Sequence, residues 1–268
     1  MATHVHGQSS ALSTATQTIP CIALPEPNLS MEQDAEWCVI REDDGWREIR
    51  FHDYGELYTI PGLYERLFYD ILKCNSPTMV RKLLEDQLRR VGQPAEGLRV
   101  LDVGAGNGMV GEELADLGAQ LIVGIDILEE AAEAAKRDRP GIYADYQVLD
   151  LTDLASDQRQ LLASYRFNCL TCVAALGFGD IPTLAFAEAY NVVADGGWIA
   201  FNIKEDFLDD QDPSGFSGLI RRMVAEGLLV LRTQRRYQHR IATNGDPLHY
   251  VAVVGTKAGA IPRAWVSA

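Results

Sequence analysis

A glycine-rich turn carries the clearest chemical signal in this sequence of 268 residues. It follows an apolar strand predicted over 99–103 and precedes an amphipathic helix. Glycine lets a ligand approach the main chain closely, and a helix that begins after such a turn directs backbone N–H groups toward that ligand. The residues predicted to contact a nucleotide-like ligand are Asp102, Gly104, Ala105, Gly106, Asn107 and Gly108.

Two acidic residues follow the next two predicted strands. Asp126 ends the apolar run 121–126, about 20 residues after the turn, where a carboxylate can hold both hydroxyls of a ribose. Asp150 ends the third strand and is placed to accept a hydrogen bond from an exocyclic amine such as that of adenine, with Ile127 and Leu151 enclosing the ring. Because ligands bind beyond the carboxyl ends of parallel strands, we expect the turn and both acids to share one crevice.

Four more strands complete the predicted sheet. Residues 167–173 and 197–203 are predicted as further parallel strands. Residues 229–241 and 248–254 flank Asn244-Gly245, a strong signal for an antiparallel hairpin. Dinucleotide dehydrogenases usually close with a parallel sixth strand, so the hairpin disfavours a nicotinamide-dependent oxidoreductase.

At these residues the chain resembles the class I S-adenosylmethionine-dependent methyltransferases. The resemblance covers roughly residues 99–257 and rests on the Asp-x-Gly-x-Gly-x-Gly turn, on Asp126 and Asp150, and on Asp195-Gly-Gly-Trp198 before strand five. It implies an α/β fold with a Rossmann-like seven-stranded methyltransferase sheet and a terminal antiparallel hairpin. It also implies S-adenosyl-L-methionine as the cofactor, with its amino-acid portion on the turn amides and Asp102 orienting the turn.

The resemblance also suggests where the remaining cofactor and substrate contacts lie. Cys172 and Val173, at the end of the fourth strand, are assigned to the cofactor. Helices before the first strand commonly fold over the cofactor in this family, although tyrosines there could equally serve only to bury those helices. The substrate-pocket candidates are His52, Tyr54, Tyr58, Tyr64, Phe178, Lys204 and His249, with Asp180 as a further pocket residue.

No catalytic residue is assigned from the sequence. The cofactor's methyl group is already activated by its cationic sulfur, so a base is needed only for an oxygen or nitrogen acceptor that keeps its proton. The candidates for such a base are His52, Asp53, Lys204 and His249, which the sequence does not rank.

The predicted organisation has four segments. Residues 1–30 are expected to be a disordered tail, and residues 31–95 an accessory hairpin with cap helices. Residues 96–258 are the expected methyltransferase domain, and residues 259–268 a C-terminal tail.

Bulk properties narrow the partners. The net charge of −14 and a pI near 4.7 disfavour nucleic acid as a partner. Methyltransferases that act on amino groups often carry an acid or Asn followed by Pro-Pro-aromatic after strand four, and this chain has Cys172-Val-Ala-Ala there. No apolar run approaches the roughly 20 residues that cross a bilayer. The five cysteines are scattered and no positive signal region precedes Arg41, so we expect a cytoplasmic protein. No metal site is expected, because Cys169 and Cys172 would point to opposite faces of a strand.

Methyl transfer to an oxygen or nitrogen of a small-molecule acceptor is the leading hypothesis, for a monomer or homodimer. Two alternatives from the same fold stay open. One is a non-catalytic binding or regulatory protein, and the other is an enzyme that methylates a protein side chain. The intact glycine turn and acids disfavour the first, and a lidded pocket rather than an open acidic cleft would disfavour the second.

Overall fold

The computed structural model describes residues 20–27, 31–208 and 214–267. The chain begins with a three-stranded antiparallel sheet formed by β1 (Ile22–Ala23), β2 (Trp37–Glu42) and β3 (Gly45–Arg50). The predicted accessory hairpin is confirmed, with Glu42 paired to Gly45 next to its turn.

The expectation of a disordered tail over 1–30 is wrong for β1. Ile22 pairs with Ile40 and Ala23 pairs with Val39, because these residues continue the edge of the hairpin. The remainder of the expected tail, residues 1–19 and 28–30, lies outside the described residues.

Three short helical segments form a cap over the main domain. They are α1 (Tyr54–Thr59), α2 (Leu63–Glu65) and a π-helical turn over Arg66–Ile71. Their buried residues, which include Leu57, Leu63 and Leu67, form a core of their own with the accessory sheet. The longer helix α3 (Ser76–Val91) then begins with Pro77 in its first turn and is followed by Gly92 as its C-cap.

The main domain is built on a seven-stranded sheet. Its strands are β4 (Arg99–Val103), β5 (Leu121–Asp126), β6 (Asp145–Val148), β7 (Cys169–Leu176), β8 (Trp198–Lys204), β9 (Leu229–Ile241) and β10 (Pro247–Lys257). They lie in the order β6-β5-β4-β7-β8-β10-β9. The first five pair in parallel, and β10 runs antiparallel to both β8 and β9. The predicted sheet and terminal hairpin are confirmed.

Helices cover this sheet on both faces. They are α4 (Met109–Leu117), α5 (Glu129–Asp138), α6 (Ser156–Ser164), α7 (Thr183–Val192) and α8 (Phe216–Ala225), in addition to α3. Cys172 belongs to the core on one face and Cys169 to the core on the other. Because alternate strand residues face opposite ways, the two thiols cannot share a metal ion, as predicted.

The C-terminal segment, which was predicted as a tail over 259–268, packs against the domain over residues 259–267. Ile261 is buried, its N–H donates to the Asn191 side chain at 2.8 Å, and the Ser267 carbonyl accepts from Leu184 at 3.0 Å. The Arg222 guanidinium lies 3.7 Å from the centre of the Trp265 ring. Apolar burial and these bonds together fix the segment on α7 and α8. Within the described ranges, no helix has the length and hydropathy that a bilayer crossing requires.

Candidate functional site

A cavity of about 520 Å³ lies at the carboxyl ends of β4, β5, β6 and β7 and beneath the cap. Gly104, Asp126 and Asp150 all line it, so the structure brings the turn and both acids into one crevice. The predicted site residues that line this main cavity are His52, Tyr54, Tyr58, Tyr64, Gly104, Asp126, Ile127, Asp150, Leu151 and Val173. Its volume is in the range of small-molecule and cofactor sites, roughly 300–1,000 Å³.

Asp126 connects the second strand to the glycine turn. Its Oδ2 accepts from the Gly106 N–H at 3.0 Å, and its Oδ1 accepts from the Leu128 N–H at 3.1 Å. Burial raises the pKa of the Asp126 carboxyl, and these backbone N–H groups act against that rise. Since each carboxylate oxygen can accept more than one hydrogen bond, both oxygens keep acceptor capacity toward the cavity.

The turn amides are occupied by acceptors from the protein itself. The N–H groups of Gly104 and Ala105 both donate to the Ile125 carbonyl, at 2.9 and 3.0 Å, and Gly108 donates to Ala105 at 3.0 Å. Gly106 donates to Asp126. In this structure these amides are thus paired within the protein, and their contact with a ligand stays a prediction. Ala105, Gly106 and Gly108 do not line the main cavity.

Asn107 also points away from the main cavity. Its side chain is buried and donates to Glu65 at 3.1 Å and to Asp138 at 3.4 Å. Arg139 joins the same cluster through Glu65, at 2.7 Å. Asn107 therefore connects the turn to the cap and to the end of α5.

Asp102 lies under the turn and does not line the main cavity. Its carboxylate is buried and accepts from Tyr143 at 2.8 Å and from Thr171 at 2.7 Å. Burial raises the pKa of Asp102 to about 6, and the two hydroxyl donors partly offset that rise. Neither hydroxyl partner was predicted from the sequence. Tyr146 was not predicted either, and its hydroxyl donates to the Gly106 carbonyl at 2.8 Å. Their pairing depends on the folded positions of separate strands.

The outer end of the main cavity presents an acid between two apolar residues. Asp150 is exposed, and its Oδ1 accepts from the N–H and the hydroxyl of Thr152 at 2.8 and 2.7 Å, which lowers the pKa of Asp150. Ile127 leaves 60% of its surface exposed beside it, and Leu151 and Val173 form further walls. Cys172 was wrongly predicted here, because strand alternation turns its side chain into the core while Val173 faces the cavity.

His52 and Asp180 form a pair on the wall of the main cavity that adjoins the smaller cavity. The Nδ1 atom of His52 lies 3.4 Å from Oδ2 of Asp180, and both residues line the main cavity. The His52 ring packs on Phe178 with centres 5.1 Å apart, and Phe178 lines a smaller adjoining cavity. Of the four candidate bases, His52 and Asp53 line the main cavity.

Lys204 and His249 were predicted in the substrate pocket, but neither lines the two cavities of the described chain. The Lys204 ammonium lies 2.8 Å from Asp206 and 5.5 Å from the centre of the Phe178 ring. His249 precedes Tyr250 in β10, and because Tyr250 faces the smaller cavity, His249 faces the other way. Over the described residues, no His, Cys, Asp and Glu cluster has the arrangement of a metal site.

The chain leaves β7 through strained backbone beside this pair. Ala174 and Phe178 adopt φ values of 57° and 52°, which side-chain-bearing residues rarely take. The Ala174 N–H donates to Asn202 Oδ1 at 2.6 Å, which helps hold that conformation. Such strain is concentrated at functional sites.

Comparison with known proteins agrees with this architecture. A methyltransferase domain family matches residues 100–197. A ubiquinone biosynthesis O-methyltransferase from Xanthomonas axonopodis pv. citri (strain 306) is 35% identical over 107 residues, 39% of this chain and 42% of that protein. The protein of the same name from Bordetella avium (strain 197N) is 26% identical over 166 residues, 60% of this chain and 64% of the relative. The chain thus spans less than two thirds of these relatives.

A solved structure shares the fold at low sequence identity. The N-methyltransferase NodS from Bradyrhizobium japonicum WM9, in complex with S-adenosyl-L-homocysteine, is 12% identical, with a TM-score of 0.51 over 78% of this chain and 98% of that chain. The methyltransferase domain family matches 100–197, and the strand order and terminal hairpin give this chain the same fold as that solved methyltransferase.

Proposed function

We propose that this protein transfers a methyl group from S-adenosyl-L-methionine to a hydroxyl oxygen of a small molecule. One observation carries the proposal: a single cavity is lined both by Gly104, Asp126 and Asp150 at the strand ends and by the His52–Asp180 pair. The first group suits an adenosyl ligand, and the second suits removal of a proton.

The residues present fit the cofactor. The spare acceptor capacity of Asp126 suits the two ribose hydroxyls, and Asp150 with Ile127 and Leu151 suits the adenine ring. When bound, S-adenosyl-L-methionine supplies a methyl group on a cationic sulfur. The protein then has to orient the acceptor and exclude water, and such positioning is worth roughly 7–11 kcal/mol in favourable cases.

His52 is the proposed base for the acceptor hydroxyl. Asp180 lies beside Nδ1 and would hold the proton there, which leaves Nε2 to accept a proton from the acceptor. The Asp180 carboxylate would then stabilise the imidazolium that forms. Asp53, the other candidate base on the main cavity, has no comparable charged partner among the described residues.

The position of the cap over the main cavity favours a small molecule, and not a protein side chain, as the methyl acceptor. Tyr54, Tyr58 and Tyr64 form a continuous aromatic wall over the main cavity, with neighbouring ring centres 6.3 and 4.9 Å apart. The O-methyltransferase names of the curated relatives support oxygen as the accepting atom.

The test is methyl transfer from labelled S-adenosyl-L-methionine to a fractionated metabolite extract, followed by kinetics with the acceptor found. His52→Gln should lower kcat by about 100-fold or more, because a positioned base contributes roughly 10²–10⁴. The matched control is His249→Gln, which should keep the parent rate because His249 lines neither cavity. Equal rates for the parent and His52→Gln would refute the assigned base, and no labelled product of low mass would refute the proposed function.

A further inference from the structure

A small second cavity of about 30 Å³, which we term the annex, adjoins the main cavity. The two cavities share His52, Tyr54, Tyr64, Ala174, Ala175 and Asp180 as walls. The far end of the annex is formed by Gln33, which precedes β2, and by His239 and Tyr250 from the terminal hairpin. The proposed base therefore lies at the junction between the annex and the main cavity.

Gln33 lines the annex with a buried side-chain amide. Its side chain is 7% exposed, and its Nε2 donates to the Tyr250 hydroxyl at 2.9 Å. Its Oε1 is buried without a hydrogen-bond partner, and no other side-chain atom in the described ranges has that status. A buried acceptor without a donor is costly, so a donor from outside the chain, a water molecule or a ligand group, is expected at this amide.

The polar groups at the far end of the annex are fixed by partners within the protein. His239 Nδ1 lies 2.6 Å from Ser76 Oγ, and Asn202 donates to Ser76 at 2.9 Å. Burial, and then the charge of Arg240, hold the pKa of His239 well below its ordinary value. The charge of Arg240 is itself balanced by a buried ion pair with Glu36. Such walls suit an uncharged polar group better than a carboxylate or an ammonium group.

We propose that the annex recognises a second hydroxyl of the acceptor, separate from the oxygen that is methylated, through Gln33. A hydroxyl both donates and accepts, so it satisfies the Gln33 amide in either orientation of its oxygen and nitrogen. The aromatic walls contributed by Tyr54, Tyr64 and Phe178 suit a planar ring. The acceptor class is therefore a planar compound with two hydroxyls, one in the annex and one beside His52. This assignment rests on the proposed function.

The experiment measures affinity, so it does not depend on turnover. Phenol and the 1,2-, 1,3- and 1,4-dihydroxybenzenes are titrated into the full chain by protein-detected NMR, with and without S-adenosyl-L-homocysteine. At least one dihydroxybenzene should bind about tenfold more tightly than phenol, because a site built to pair with a hydroxyl discriminates against the analogue that lacks it. Gln33→Leu should reduce that preference to less than about twofold.

Two further variants make the result specific. Gln33→Asn keeps the amide but withdraws it by one methylene, and it should weaken the preference even if Gln33→Leu fails to fold. Gln87→Leu is the matched control, because Gln87 is comparably buried in α3 and lines neither cavity. It should keep the parent preference.

Several results would overturn the inference. These are equal Kd values for phenol and all three dihydroxybenzenes, absence of binding by any of them, or a preference that survives both Gln33 variants. The annex is also large enough for one water molecule. A crystal structure with that water retained while a dihydroxybenzene occupies the main cavity would likewise exclude the assignment. Failure of S-adenosyl-L-homocysteine to bind would instead count against the proposed function.

Discussion

The carboxylates of Asp102 and Asp126 have different roles although they lie in neighbouring strands. Asp126 accepts backbone N–H groups and still faces the main cavity. Asp102 is enclosed by Tyr143 and Thr171 and has no access to it. The difference follows from position, because Asp102 lies within β4, with sheet neighbours on both sides, whereas Asp126 ends β5.

Asp102→Asn tests this burial through the pH dependence of stability. The pKa of Asp102 rises from 3.8 in an unperturbed carboxyl to about 6 in the fold, so between these values the unfolded chain loses a proton that the folded chain keeps. The free energy of unfolding of the parent therefore falls as pH rises through this window. Because the asparagine does not titrate, the stability of Asp102→Asn relative to the parent should improve by about 2 kcal/mol between pH 4 and pH 7.

Urea unfolding at several pH values measures this difference. Asp116→Asn, at an exposed position of α4, serves as the control and should show no comparable trend. A stability difference between parent and Asp102→Asn that stays constant with pH would contradict the assigned burial.

Gly106→Ala tests the contact between the turn and the cap. Gly106 has a φ of +53°, and an added Cβ would overlap the Tyr58 hydroxyl oxygen. Gly92→Ala is the matched control, with a φ of +68° and no atom within 4 Å of the added Cβ. Both variants should lose about 1–2 kcal/mol from backbone strain, and Gly106→Ala should lose more.

The additional loss of stability expected for Gly106→Ala comes from the overlap between the added Cβ and the Tyr58 hydroxyl. In a Tyr58→Phe background, removal of the hydroxyl should return the cost of Gly106→Ala, measured by urea unfolding, to that of Gly92→Ala. If the two glycine variants are already equal in the parent, the cap does not contact the turn in this way.

At the scale of elements, the cap is attached to the main domain by a polar cluster. Glu65 of α2 accepts from Arg139 at 2.7 Å and from Asn107 at 3.1 Å. Arg139 also donates to Glu112 of α4 at 2.9 Å, a pair within the main domain. Of the two ion pairs of Arg139, the one with Glu65 attaches the cap and the one with Glu112 lies within the main domain. Each can therefore be removed without the other.

Glu65→Ala should loosen the cap while leaving the sheet intact. We expect amide hydrogen exchange over 54–71 to accelerate roughly tenfold, equivalent to about 1.4 kcal/mol of local opening free energy. Glu112→Ala removes the other partner of Arg139 and should leave exchange in the cap near the parent level. Acceleration by both variants to the same degree would mean that Glu65 has no specific role in holding the cap.

At the scale of the whole molecule, the sequence was enough to predict the sheet but not the residues that form the annex. The apolar run over 121–126 predicts a buried strand, and the acid that ends this strand must then lie at the carboxyl edge of the sheet. Gln33 meets Tyr250 across 217 positions, and no local pattern indicates that contact. His249 was assigned to the pocket because the hairpin turn is near, but strand register decides that Tyr250 faces inward.

Calorimetric titration of S-adenosyl-L-methionine into the purified protein tests the central claim most directly. The parent should bind, and Asp126→Ala should bind more than about tenfold more weakly, because an acid at this strand end holds the ribose hydroxyls in this type of sheet. Asp116→Ala should bind like the parent, and thermal unfolding of each variant confirms that it is folded. No binding by the parent at millimolar cofactor, or an unchanged affinity in folded Asp126→Ala, would contradict the account.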